Sequence, residues 1–237
     1  MVKTRSIVLL VAVGAIAVAL LCCVPDSALA RAGGGGGKGG GSWLSVLLWP
    51  VILIYSAILA RKVRKKNQES QALLEKLASH DAAWQIDAIK ARIEEAFFKI
   101  QHAWMERNQD LAKAYMSERL YRKHKTQTDQ MIRDNRKNVL ENINLETARI
   151  VEVADFTDDS KDHIWVYLEG TMIDYTVNAQ TNEHISGDMV RDERFKELWK
   201  FIKDAQGCWV LDEIDQSAEI SDLGGMRSFS EELPGSE

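Results

Sequence analysis

The alternation of side chains is clearest between Asp162 and Val177, where it predicts one long β-strand. The stretch is rich in β-branched and aromatic residues and contains no proline. Successive residues of a strand point to opposite faces, and here both faces are apolar. One face carries Ile164, Val166, Leu168 and Met172. The other carries Trp165, Tyr167, Ile173, Tyr175 and Val177. Such a strand needs other elements to cover it on both sides.

A helical pattern precedes this strand. Between Trp84 and Asn108 the apolar positions recur every three or four residues, which predicts an amphipathic helix. Its stripe consists of Ile86, Ile89, Ile93, Phe97, Ile100 and Trp104. We expect this helix to pack against the sheet, although a helix lying on a membrane surface would show the same stripe. Ser117 is a plausible cap for a further helix.

Other segments predict shorter strands. Residues 145–156 and 208–214 read as strands, and residues 178–187 read as a hairpin loop. Residues 195–203 fit either a helix or a strand by periodicity alone. Helices followed by antiparallel strands predict an α+β domain, with N-terminal helices packed on a bent antiparallel sheet of about four strands. From Ser217 to the end the chain is acidic and aperiodic, which predicts a disordered tail over 217–237.

Two apolar runs lie upstream of this domain. In residues 1–30, Lys3 and Arg5 precede a long apolar run that ends before Ala28-Leu29-Ala30, a form typical of signal-peptidase sites. A cleaved signal peptide is favoured, and an uncleaved first membrane helix is the alternative. Residues 31–42 are a Gly-rich linker. Residues 43–60 are uncharged and predict a transmembrane helix.

A basic cluster follows the second apolar run directly. Such a cluster stops transfer through the membrane and places this end of the helix, and the domain after it, on the cytoplasmic side. Residues 61–80 then read as this basic segment and a helical stalk. The cluster could also contact anionic headgroups, although fixing topology is the simpler role. The candidate membrane-contact residues are Trp43, Trp49, Arg61, Lys62, Arg64, Lys65 and Lys66.

Charge and cysteine content exclude some functions. Residues 67–237 carry 21 Lys/Arg against 34 Asp/Glu, a formal charge of −13. Nucleic-acid binding depends on cationic contacts, so we expect no nucleic-acid partner. Cys22, Cys23 and Cys208 provide neither a disulfide framework nor a metal-binding spacing. No phosphate loop, nucleophile elbow or metalloprotease motif occurs, and we expect no metal or cofactor.

Several separated blocks together resemble one family. These blocks are 138–143 with 148–151, 162–166 with 170–175, and 209–214. They resemble the bacterial Tim44-like proteins, relatives of the C-terminal domain of the forty-four-kilodalton subunit of the mitochondrial inner-membrane preprotein translocase. The resemblance covers roughly residues 81–216. The upstream apolar runs and glycine linker also resemble the layout of the bacterial members.

The resemblance implies a cone-shaped domain like that of nuclear transport factor two, with a bent sheet around an apolar pocket. It implies a strand over 195–203 and a place at the bacterial inner (cytoplasmic) membrane. The apolar stripe of the long helix and one face of the long strand would then line the pocket. The pocket-lining candidates are Ile93, Phe97, Ile100, Trp104, Ile164, Val166, Leu168 and Met172.

The leading hypothesis is a non-enzymatic, membrane-anchored binding module that binds a lipid or a protein segment and supports protein transport or assembly. Its partners would be membrane lipids and membrane or translocated proteins. One alternative is a scaffold without a small ligand. Another is an isomerase or dehydratase on the same fold, for which a polar group buried at the pocket floor would be required. The candidates for that chemistry are Asp174, Tyr175, His163 and His102, each of which also has an ordinary structural explanation.

Overall fold

The computed structural model describes residues 43–233, with side chains from Trp49 onward. The chain divides into two compact units, Met1–Trp49 and Pro50–Glu237. Of the first unit, only the start of helix α1 is described. The predicted signal segment at 1–30 and the Gly-rich linker at 31–42 lie outside the described residues.

Helix α1 spans Trp43–Ala78 and contains Pro50. Among the helices whose side chains are described, none is long and apolar enough to cross a membrane. The predicted transmembrane helix at 43–60 is therefore not supported. Leu59, at the end of that run, and Val63, just after it, are buried against the domain that follows.

The remaining elements belong to the second unit. A 3-10 turn at Ala82–Trp84 leads into α2, and a second one at Gln109–Tyr115 leads into α3. The helices are α2 (Ile86–Met105), α3 (Glu118–Arg133) and the short α4 (Asp222–Gly225). The strands are β1 (Arg136–Asp155), β2 (His163–Asn178), β3 (His184–Gly187), β4 (Glu193–Lys203), β5 (Trp209–Asp215) and β6 (Phe229–Ser230).

The strands form one mixed sheet in the order β5-β4-β2-β1-β6, with β3 also paired to β2. All pairs are antiparallel except β1 with β6. The predicted α+β class, with helices packed on a bent sheet, is confirmed. The prediction of about four antiparallel strands missed the short β3 and β6. Register shifts along β1, which mark bulges, bend the sheet.

Residues 195–203, which fitted either a helix or a strand by periodicity, form a strand. They lie within β4, which pairs with β2 on one side and β5 on the other. The helical spacing of the apolar residues in this segment was misleading. Two neighbouring strands satisfy the backbone hydrogen bonds of β4, and this tertiary pairing overrides the local pattern.

The inner face of the sheet forms the main core with α2. Ile164, Val166 and Leu168 are fully buried in the same cluster as the α2 stripe. The ring of Phe97 on α2 stacks on that of Phe195, with centroids 5.8 Å apart. The sequence prediction that the long helix covers one face of β2 is confirmed.

The outer face of the sheet is also covered. Tyr167 is buried with Leu59 and Val63 of α1 and with Leu223 and Met226 near the C-terminus. The aromatic residues Trp165, Tyr167 and Tyr175 of this face therefore do not form an exposed surface. Trp165 packs half-buried at the edge of this cluster, and Tyr175 is buried beside Ile173 and Val177.

The C-terminal segment is ordered as far as it is described, so the prediction of a disordered tail is wrong for residues 217–233. Its backbone carbonyls at Ile220 and Met226 accept hydrogen bonds from Lys62 Nζ and Lys66 Nζ, each at 2.7 Å. Leu223 is fully buried. The acidic, aperiodic composition of this segment gives no indication of these few stabilising contacts. We call residues 217–233 the C-terminal strap.

A buried lysine links the ends of several elements. Lys203 Nζ, at the end of β4, lies 2.8 Å from Asp162 Oδ2, and the Asp162 side chain is fully buried. The same ammonium lies 4.5 Å from the ring centroid of Trp84 and 5.7 Å from that of Trp209. Removing one partner of a buried ion pair leaves the other charge buried without a counter-charge.

We expect Asp162→Asn to lower the free energy of unfolding by about 3 kcal/mol, because it leaves the Lys203 ammonium buried without its counter-charge. Asp81→Asn is the control. Its carboxylate lies 3.8 Å from the same ammonium but is 54% exposed, and its loss should cost less than about 1 kcal/mol. Urea denaturation of the full chain, followed by tryptophan fluorescence, measures both values. Equal effects would contradict the assignment of Lys203 and Asp162 as the stabilising pair.

The C-terminal strap offers a second test. Leu223→Ala should destabilise the chain by about 2–4 kcal/mol, because it leaves a cavity beneath the strap. Ser221→Ala, two residues earlier and exposed, should change stability by less than about 0.5 kcal/mol. The same denaturation experiment compares them. If Leu223→Ala were as mild as Ser221→Ala, the strap would contribute nothing to the fold.

Candidate ligand pocket

A cavity of about 850 Å³ opens where α2 and α3 meet the sheet. Ligand pockets for small molecules commonly measure roughly 300–1,000 Å³, so this cavity falls in the expected range. Its walls come from α2, α3 and the strands β1 to β5. The cavity lies within the second compact unit.

The floor of the cavity is apolar. Ile100, Leu140, Met172 and Trp199 line it and are all buried members of the main core cluster. The cavity is therefore an open end of the core rather than a surface groove. An apolar chain entering it would extend the contacts that the core already makes.

One buried polar ring also lines the cavity. His124 lies on α3, where the Ser117 side chain accepts a hydrogen bond from Leu120 N and starts the helix, as predicted. Leu120, His124 and Thr128 follow at four-residue spacing on the buried face of this helix. The ring of His124 is 8% exposed, and its Nδ1 has no hydrogen-bond partner among the described residues.

Burial sets the charge state of this histidine. Desolvation, with a smaller effect from the positive charge of Lys123, lowers the pKa of His124 to about 4. The ring is therefore neutral near neutral pH. Trp104 packs against it edge-on, with ring centroids 5.4 Å apart. His124 can thus offer a ligand a hydrogen bond without a charge.

Glu197 on β4 is a second polar group in the wall. Burial raises the pKa of its carboxyl, and the nearby Asp215 acts in the same direction. The indole Nε1 of Trp199 donates a hydrogen bond to Glu197 Oε2 at 2.7 Å, which partly opposes this rise. The arrangement fixes the Trp199 ring at the floor of the cavity.

The rim is charged. Lys123 and Arg136 contribute cations, and Asp174 and Glu193 contribute carboxylates, all on exposed residues. Most other cations of α3 are already paired: Arg119 with Asp212, Arg122 with Glu118 and Lys125 with Asp129. Of the cations on α3, only Lys123 borders the cavity.

The predicted pocket-lining residues divide into two groups. Ile100, Trp104 and Met172 line the cavity. The others are packed inside the core, below the cavity: Ile93, Phe97, Ile164, Val166 and Leu168. Sequence reasoning missed Leu140, His124 and Trp199. His124 could have been found, since it falls on the apolar side of the helix capped by Ser117.

Of the candidate catalytic residues, Asp174 and Tyr175 line the cavity, but they bond to different partners. Asp174 accepts a hydrogen bond from Asn138 at 2.6 Å at the rim, whereas the Tyr175 hydroxyl donates to Glu141. His102 is exposed on α2. His163 Nδ1 lies 2.9 Å from the carbonyl of Lys161, away from the cavity. No described hydrogen bond couples any of these groups into an acid–base pair.

The candidate membrane-contact residues also differ in their surroundings. Trp49 is 65% exposed, and Arg61, Arg64 and Lys65 are exposed on α1. Lys62 and Lys66 instead hold the C-terminal strap. The side chain of Trp43 lies outside the described part of the chain.

The helix-covered, bent sheet with an open pocket, apolar at its floor and charged at its rim, defines an α+β domain. A family model described as the Tim44-like domain matches residues 70–216, more than half of the chain. The chain belongs to the Tim44-like family, as the sequence resemblance indicated. The match begins within α1, earlier than the boundary near residue 81 expected from sequence.

Comparison with other proteins adds little. No curated protein matches the chain. Among solved structures, it is similar to the intermembrane space region of the chloroplast protein ARC6, with 13% identity and a TM-score of 0.41. The alignment covers 57% of this chain and 99% of that structure. This similarity is too weak to say anything about function.

The lowered pKa of His124 predicts a pH-dependent stability. The unfolded chain binds a proton at this histidine near its ordinary pKa of 6.5, whereas the folded chain does so only near 4. The unfolded state therefore holds more protons between these values, and this stability contribution is lost as the pH falls through that window. Between pH 7 and pH 5 we expect the wild type to lose about 2 kcal/mol more than His124→Gln.

Denaturation at both pH values measures this difference. Raised pKa values at Asp155 and Glu197 act in the opposite direction with pH, but they are common to wild type and variant and cancel. His102→Gln, at an exposed site, is the control and should keep the wild-type pH dependence. A His124→Gln curve parallel to that of the wild type would contradict the burial of the neutral ring.

Proposed function

We propose that this Tim44-like chain is a membrane-associated, non-enzymatic binding module whose pocket takes the apolar chain of a lipid or an apolar protein segment. The observation that carries the proposal is the floor formed by Ile100, Leu140, Met172 and Trp199, where the core cluster is open to a cavity of about 850 Å³. Burying apolar surface there would be favourable. Support of protein transport or assembly at the inner membrane is the corresponding cellular role.

The start of the second unit supports the membrane part of the proposal. In α1 the large apolar side chains of Ile52, Leu53, Ile54, Tyr55 and Ile58 are between 44% and 62% exposed. Exposed cations at Arg61, Arg64 and Lys65 follow directly. Apolar surface next to a cationic cluster is the pattern that binds bilayers with anionic lipids. A position with the pocket domain on the cytoplasmic side is the corresponding topology.

An enzyme is the second candidate, because His124 and Glu197 are buried or half-buried polar groups in the pocket wall. General acid–base catalysis needs such groups to be coupled to each other or to a substrate. His124 Nδ1 has no hydrogen-bond partner among the described residues, and Glu197 Oε2 accepts a hydrogen bond from the indole of Trp199. These surroundings favour binding over catalysis.

Site-specific photo-crosslinking in intact cells tests the proposal. A photoreactive side chain at Gln127, which lines the cavity, should capture a lipid or a protein segment. The same group at Gln130, on the same helix but outside the cavity lining, is the matched control and should capture far less.

Filling the cavity should remove the captured species. With the crosslinker at Gln127, we expect Met131→Trp to reduce the yield of crosslinked adduct several-fold. Met131 lines the cavity, and the bulkier tryptophan side chain would fill part of it. Mass spectrometry of the adducts identifies them. Equal yields at Gln127 and Gln130, or no adduct at Gln127, would refute ligand binding in the pocket and favour a scaffold without a ligand.

A further inference from the structure

We propose that the pocket selects a lipid with a zwitterionic headgroup over an anionic lipid with the same acyl chain. This inference rests on the proposed function and specifies its ligand. It follows from how the charges that form no salt bridge are distributed around the cavity. A buried polar ring in the cavity wall also contributes.

The first observation is that the charges around the cavity are unpaired. Two cations, Lys123 and Arg136, and two exposed carboxylates, Asp174 and Glu193, lie at the rim. Two half-buried carboxylates, Glu197 and Asp215, lie in the wall. None of the six takes part in a salt bridge among the described residues. Asp174, Glu197 and Asp215 accept hydrogen bonds from neutral groups, but no opposite charge among the described residues compensates them.

The second observation is that the two signs come from different elements. Across the sheet, Asp215 ends β5, Glu193 and Glu197 lie on β4, and Asp174 lies on β2. Arg136 begins the next strand, β1, and Lys123 lies on α3. The carboxylates thus occupy three neighbouring strands, and the cations occupy the strand beyond them and one helix.

This distribution discriminates between headgroups. A phosphate could pair with Lys123 and Arg136, but the carboxylates of Asp174 and Glu193 at the same rim, and of Asp215 in the wall, would repel a headgroup with net negative charge. A zwitterionic headgroup pairs its phosphate with the cations and its ammonium with the carboxylates. Trp104, which also lines the cavity, adds an aromatic ring suited to a quaternary ammonium.

The third observation is that a buried histidine ring lines the cavity. His124 is more than nine-tenths buried, lines the cavity, and leaves Nδ1 without a hydrogen-bond partner in the described residues. The ring is a polar group in the wall of the cavity. An ester or hydroxyl group between headgroup and acyl chain is the part of such a ligand that this ring would accommodate.

The test compares two probes that differ only in their headgroup. The full chain in a nonionic detergent is mixed with equal concentrations of lysophosphatidylcholine and lysophosphatidylglycerol of the same acyl chain, and native mass spectrometry counts the bound species. We expect about tenfold more of the zwitterionic than the anionic adduct, a ratio that corresponds to about 1.4 kcal/mol.

Variants assign the preference to the rim. Asp174→Asn combined with Glu193→Gln should bring the two adducts to near-equal amounts. Glu94→Gln combined with Glu106→Gln removes the same number of exposed carboxylates outside the cavity lining and should leave the preference unchanged. Lys123→Gln combined with Arg136→Gln should lower binding of the zwitterionic probe several-fold.

The outcomes separate the two proposals. Equal or stronger binding of the anionic probe to the wild type would overturn the headgroup selection while leaving a lipid-binding pocket. Binding of neither probe, together with protein adducts alone in the crosslinking experiment, would overturn the lipid ligand and leave a protein-binding pocket. Binding of neither probe without any adduct would overturn both proposals.

Discussion

The strand β2 is apolar on both faces, so the sheet is stable only where both of its faces are covered. Burying such side chains is the largest favourable contribution to folding, and exposing them would promote association. The inner face is covered by α2, and the outer face by α1 together with the C-terminal strap. Each of these elements buries apolar side chains of β2 that would otherwise be exposed to water.

This requirement gives the N-terminal helix two different surroundings. Around Leu59 and Val63, α1 is packed on the sheet, and Lys62 and Lys66 hold the strap by its carbonyls. Earlier in the same helix, between Ile52 and Ile58, large apolar side chains are exposed. A hydropathy pattern treats the whole segment as one apolar run, because it cannot distinguish a protein contact from an unoccupied surface.

The sequence predicted those parts of the fold whose signals are local. The stripe of α2, the Ser117 cap and the two faces of β2 all depend on residues close together in the chain. The periodicity of β4 also fits a helix, so the strand was indicated by its place between two other strands and by the family resemblance. The strap was missed because its contribution depends on a few contacts with residues about 160 positions away, such as Lys62 and Lys66.

The pocket residues also divide into those with a local sequence signal and those without one. Ile100, Trp104 and Met172 could be predicted because they extend the apolar stripes of α2 and β2. The rim could not, since its charged residues come from α3 and three different strands, and no local pattern joins them. Only the register of the sheet brings Arg136 and Asp174 to one opening.

The composition of β2 explains why the pocket has both an apolar floor and a charged rim. On the inner face, Ile164, Val166 and Leu168 lie beneath α2, and the sequence then changes to Met172, Asp174 and Thr176 at the cavity. Where this face ceases to be apolar, core packing ends and the cavity begins. The site is thus the boundary of the hydrophobic core along a single strand, and a ligand that matches it must change from apolar to charged over the same distance.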